Sequence, residues 1–158
     1  TVRDRSWGKP RPEENMPLPT ISWIQGVFNE NFSFNCNLFD QASGNPELAG
    51  TALAMPEDKT LNGGWLWRDG KLGCLVSGKK RVVRLSGSRI PTYVEFEITD
   101  DLGRSIHVRG TAIASMPMKP SSSIFMPIVL MRWECEGLIA HGDHQEALWN
   151  DYLNIAGN

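Results

Sequence analysis

The sequence carries no surplus of positive charge, no long apolar run and few cysteines, and each shortage removes a class of function. Sixteen Lys and Arg stand against eighteen Asp and Glu, a formal charge of −2, whereas a general nucleic-acid binder carries a basic excess. The longest apolar stretch, Ile124–Met131, is broken by Pro127 and falls far short of the about 20 residues a membrane-spanning helix needs. Cys36, Cys74 and Cys135 are widely spaced and odd in number. They form neither a disulfide framework nor a Cys-x-x-Cys metal pair, so a reducing compartment, the cytoplasm, is expected. There is no Gly-x-Ser-x-Gly elbow for a nucleophile. Gly63-Gly64 and Gly70 belong to hairpins rather than to a phosphate loop, because no helix follows them.

What remains is 158 residues, 41% hydrophobic and 22% charged, the composition of one soluble globular domain. The chain opens Thr1-Val2-Arg3-Asp4, without a methionine or a secretory leader, as it would after methionine removal or as a fragment of a longer protein. Residues 1–19 are polar and rich in proline and read as an irregular arm; residues 20–158 read as a single domain.

From Thr20 onward the dominant hydrophobic period is two. Thr20–Phe28 and Asn31–Phe39 predict strands joined by a short loop at Asn29-Glu30. Gly50–Met55 predicts a weak strand. Gly64–Arg68 and Lys71–Ser77 flank Asp69-Gly70, whose residue types suit the positive-φ positions of a type I′ hairpin turn. Lys79–Ser86, Thr92–Thr99 and Arg104–Ser115 alternate again, with a turn at Asp100–Gly103. Met116–Ser123 reads as a Pro/Ser loop, Ile124–Glu136 as a further strand, and a last segment starts at Leu138. The helical candidate is Asp143–Asn154. About eight to nine short strands, with turn signals every ten residues or so, predict an all-β antiparallel sandwich or barrel. Closure into a barrel would remove the exposed edges, and an eight-stranded barrel has room for packed side chains or one small ligand. The polar faces of these strands either line a modest cavity or meet water.

Three clusters are candidates for chemistry. Arg3-Asp4-Arg5-Ser6-Trp7-Gly8 sets an aspartate between two guanidinium forks beside a large ring. Such a group can orient a substrate or form a structural salt-bridge knot. His141 and His144 with Glu146 have metal-ligand chemistry, but on a strand the two rings point to opposite faces, leaving a polar hairpin end as the other reading. The basic run Lys79-Lys80-Arg81-Val82-Val83-Arg84 reads as a solvated strand face or a charge-protected edge, or as an attractor of anions.

The stretch Arg3-Asp4-Arg5-Ser6-Trp7-Gly8-Lys9-Pro10-Arg11 resembles a motif in uncharacterised relatives of the carotenoid 1,2-hydratase (hydroxyneurosporene synthase) superfamily, which are built as two consecutive lipocalin-like β-barrels. The order that follows is also similar: Trp23, Gly26 and Phe28; the Asp69-Gly70 hairpin; Asp100 to Gly103-Arg104; then Gly142, Glu146 and Trp149. The resemblance implies the second of two lipocalin-like barrels. It implies an apolar small-molecule ligand (a terpenoid, steroid or lipid) and hydration, dehydration or cyclisation without a cofactor or metal. Asp4 and Glu146 are then the candidate catalytic carboxylates, and Arg3, Arg5, Trp7, Trp23 and Trp149 the candidate ligand contacts. Arg3 and Arg5 favour the ionised form of Asp4, which suits an orienting or structural role better than proton donation. The alternative is a non-catalytic barrel, filled with side chains, that packs against a partner barrel or a second copy.

Overall fold

The computed structural model describes residues 19–44, 48–51, 53 and 55–156. Eight antiparallel strands follow one another around a closed barrel, and the last pairs with the first. They are β1 (Ile21–Asn29), β2 (Phe32–Phe39), β3 (Leu61–Arg68), β4 (Lys71–Arg84), β5 (Pro91–Asp100), β6 (Ser105–Ser121), β7 (Ile124–Cys135) and β8 (Leu138–Trp149), with one short helix, α1 (Asn150–Ala156), at the end. The all-β fold expected from the period-two pattern is therefore present as a closed eight-stranded barrel.

Local chemistry sets the tight turns. Asp69 and Gly70 have φ of 52° and 74°, and Glu136 and Gly137 have φ of 50° and 81°, the paired positive values that a type I′ turn requires. At the β5–β6 turn, Asp100 Oδ1 accepts from the backbone N–H groups of Leu102 and Arg104 at 3.1 and 2.9 Å. Arg104 returns two bonds to Asp100 Oδ2 and donates to the carbonyls of Arg68 and Leu66 on β3 and of Lys71 on β4. One guanidinium thus ties three strands together at this end of the barrel, the turn end. Burial opposes the Asp100 charge, but Arg104 outweighs it and keeps the carboxyl below its ordinary value.

The turn-end half is filled with aromatic rings. Trp133 is fully buried, with its ring centroid 6.1 Å from Phe34 and 5.6 Å from Phe96 in edge-on arrangements. Its Nε1 donates to the carbonyl of Gln25 at 3.0 Å. The ring fits because the residues facing it on β1 and β6 are Gly26 and Gly110; a Cβ at Gly26 would stand 2.8 Å from Phe34, and one at Gly110 would overlap the Trp133 ring.

Four expectations change. Gly50–Met55 forms no strand; Met55 makes only an isolated bridge to Gln41. Lys71–Ser77 and Lys79–Ser86 are one 14-residue strand, re-phased by an irregularity between Leu75 and Ser77. Met116–Ser123 is strand to Ser121. Its prolines are tolerated because the β5 ladder ends at Thr111, so beyond that residue β6 has only β7 as a neighbour. The helix expected over Asp143–Asn154 shrinks to α1, because residues up to Trp149 join the ladders that close the barrel.

Candidate functional site

The opposite half of the interior, the cap end, is polar. Alternation points Ser22 of β1, Lys80 and Arg84 of β4, and His144 and Glu146 of β8 inward, and Asp40 follows β2 directly. Ser22, Asp40, Lys80, His144 and Glu146 are each at most 3% exposed. Isolated charges do not survive such burial, so pairing must be complete.

Arg84 is the hub. Its Nε donates to Glu146 Oε2 at 2.9 Å, and its Nη2 donates to Glu146 Oε1 at 2.7 Å and to Asp40 Oδ2 at 2.8 Å. Lys80 Nζ lies 2.6 Å from Asp40 Oδ1 and 3.8 Å from Glu146 Oε1, and donates to the Ser22 hydroxyl. Ser22 in turn donates to Glu146 Oε1 at 3.2 Å. His144 Nε2 lies 3.0 Å from the same oxygen. Two cations therefore face two carboxylates, with a histidine and a hydroxyl alongside.

The electrostatics follow from that arrangement. Burial alone would raise the Glu146 carboxyl, but Arg84 and His144 outweigh it and hold the group well below the usual carboxylate range. Burial likewise opposes the charge on Arg84, yet Asp40 and Glu146 hold its guanidinium well above its ordinary value. His144 goes the other way: burial lowers it, and Lys80 and Arg84 add to that effect against the pull of Glu146. An ionised carboxylate only accepts, so the 3.0 Å approach of Glu146 to Nε2 favours the neutral His144 tautomer with its proton on Nε2 and an acceptor at Nδ1.

A small apolar roof closes this end. Leu48, Leu53, Leu148 and Tyr152 are buried together, with Phe125, Leu153 and Ile155 packed against them. The Arg84 guanidinium lies 5.9 Å from the Tyr152 ring centre, and burial raises the phenol above its ordinary value. Thr20 Oγ1, Tyr152 Oη and both ring nitrogens of His144 are buried here without a hydrogen-bond partner among the described residues, His144 Nε2 meeting Glu146 only at ion-pair distance. Buried polar groups are almost always paired, so these atoms set this end of the barrel apart as the candidate site.

Of the residues singled out from the sequence, Glu146 lies at the centre of this cluster. Trp23 and Trp149 are on the strand faces opposite Ser22, Ile24 and Glu146, outside the barrel interior. Arg3, Asp4, Arg5 and Trp7 fall outside the described residues. His141 is exposed while His144 is buried, so the two rings sit on opposite faces of β8 and do not converge on Glu146. The sequence reading missed Asp40 and Tyr152, and its reading of the basic run as a solvated strand face or charge-protected edge is corrected for Lys80 and Arg84, whose side chains are buried in the interior. Counting by twos from the inward Leu75 sends Lys79 and Arg81 inside; the irregularity before Ser77 reverses the phase and buries Lys80 and Arg84 instead. The detectable signal was the spacing Lys80-x-Val82-x-Arg84 itself, two cations bracketing an apolar residue on one strand face.

Residues 1–151 match the model of a family described as a domain of unknown function, DUF7064. No curated protein and no solved structure matches the chain. No helix among the described residues is long and apolar enough to cross a membrane.

Proposed function

Because the chain belongs to the DUF7064 family, whose description assigns no activity, its own geometry must supply the functional reading, and we propose that the barrel binds a small, largely apolar molecule at its cap end. The polar cluster reads one polar group of that molecule, and the Leu48/Leu53/Leu148 roof covers its apolar body. The observation that carries this reading is the set of unpartnered buried atoms, Thr20 Oγ1, His144 Nδ1 and Tyr152 Oη, gathered where the interior is polar. The aromatic half, filled by Trp133, Phe34 and Phe96, confines the ligand to this end. Binding is favoured over alkene hydration, which needs a proton donor: Glu146 is held ionised, and the one proton of His144 faces Glu146. The test is a titration with terpenoid and steroid compounds followed by tryptophan fluorescence, in the wild type and in Tyr152→Phe. A saturable response that weakens in the variant supports the reading; a flat response across the panel defeats it.

A second reading, a barrel that packs against a partner barrel, is favoured by apolar groups left uncovered outside. Val27, Trp65, Trp67 and Leu72 line a groove of about 500 Å³, and Met116, Met118 and Leu130 are exposed on the β6–β7 hairpin. Monomeric proteins seldom expose large continuous patches of this kind. Sedimentation velocity across a hundredfold concentration range separates the two: a constant monomer with saturable ligand binding supports the first, and a concentration-dependent dimer without binding supports the second.

A further inference from the structure

Resting on the ligand-binding reading above, we infer that the polar group recognised at the cap end is a neutral hydroxyl, donated to His144 Nδ1, and not a carboxylate or phosphate. The first part of the argument is charge. Lys80 and Arg84 are already engaged by Asp40 and Glu146 at 2.6–2.9 Å, two cations against two anions, all but sealed from water. An anionic ligand would add a third negative charge to a balanced, desolvated set, and an uncompensated buried charge is strongly disfavoured. A carboxylate or phosphate would have to break an existing pair to enter.

The second part is hydrogen-bond inventory. Ser22 both receives from Lys80 and gives to Glu146. Among the side chains of β1, β4 and β8 in the cluster, the bare acceptor is His144 Nδ1, fully buried and without a partner among the described residues. Its Nε2 lies 3.0 Å from the ionised Glu146 Oε1, outside hydrogen-bond geometry, and that negative charge favours the tautomer with the proton on Nε2 and the lone pair on Nδ1. A buried acceptor of this kind is complemented by an O–H or N–H donor. A ketone, ether or ester oxygen cannot serve it, because each only accepts. A hydroxyl also keeps a lone pair for a donor, and the Tyr152 hydroxyl at the same end of the barrel is unpartnered as well. The Leu48, Leu53 and Leu148 side chains make the surroundings suitable for an alcohol with an apolar body.

The experiment compares three probes that share one chain: farnesol, its methyl ether and farnesoate, each titrated into the full chain at pH 7.5 with tryptophan fluorescence as the readout. Farnesol should bind at least about tenfold more tightly than the ether, the difference of one hydrogen bond to a buried acceptor, and the acid should bind no better than the ether. In His144→Phe, which removes the acceptor and keeps an apolar ring, farnesol and the ether should become equivalent. The wild-type comparison stands alone if that variant fails to fold. Equal binding of alcohol and ether to the wild type, as when an internal water already serves Nδ1, overturns the inference while leaving the ligand-binding reading intact. Tightest binding by farnesoate overturns it too. No saturable binding by any of the three overturns both.

Discussion

Glu146 holds together two cations, a histidine and a serine, so a change at this one side chain propagates through the cluster. Replacing it with glutamine keeps the shape but removes the charge that balances Arg84 and Lys80. Breaking a buried pair from one side costs about 3–5 kcal/mol, and urea unfolding of Glu146→Gln should show a loss of that size. The same cluster makes stability depend on pH. His144 has a folded value below its ordinary 6.5, so below that pH the unfolded chain takes up a proton that the folded chain refuses. Stability is therefore full above the unfolded value and declines as pH falls from about 6.5. Glu146, held below its ordinary 4.5, contributes stability that is present above the unfolded value and is lost as pH falls further. Unfolding free energy measured from pH 8 to pH 4 should thus decline from about pH 6.5 downward, and His144→Gln should flatten the upper part of that decline. A curve for His144→Gln that still bends near the same pH would place the titration elsewhere.

At the scale of elements, the fit of Trp133 between glycines on β1 and β6 holds the aromatic half of the barrel together. Gly110→Ala forces a methyl group into the Trp133 ring, and overpacking of that kind costs about 1–3 kcal/mol. Gly110→Ala combined with Trp133→Phe should recover part of the loss, because the smaller ring vacates the space. A double mutant whose stability equals the sum of the two single losses would show that the contact is not the cause. Strand β6 changes character along its length. Its first part pairs on both sides, with β5 and β7, while residues beyond Thr111 pair with β7 alone. Pro117 faces Pro127 there, and neither residue has an N–H to give the ladder. This one-sided pairing lets a proline-bearing segment remain a strand, and it explains why residue types that usually mark a loop misled the sequence reading.

The molecule as a whole is one closed sheet, and its thiols report on that closure. Cys36 and Cys135 are buried and Cys74 is exposed. Burial pushes the Cys135 thiol up to about 11 and raises Cys36 further still, so neither forms a reactive thiolate at neutral pH. Alkylation at pH 8 followed by mass spectrometry should label Cys74 quickly, while Cys36 and Cys135 are labelled only at the rate of unfolding. Rapid labelling of Cys36 in native protein would mean that the barrel opens far more readily than its continuous ladders imply. The fold class was legible from the period of two and from Asp69-Gly70, because both are local: side-chain alternation and turn dihedrals depend on a few neighbouring residues. So was the separation of His141 from His144, which follows from strand geometry alone. Asp40, Lys80, Arg84 and Glu146 lie far apart along the chain, and only closure of β8 onto β1, with the phase reversal in β4, turns them inward to meet. A charge on a strand looks the same in sequence whether it faces water or a partner, and the ladder's register, a property of the assembled barrel, decides which.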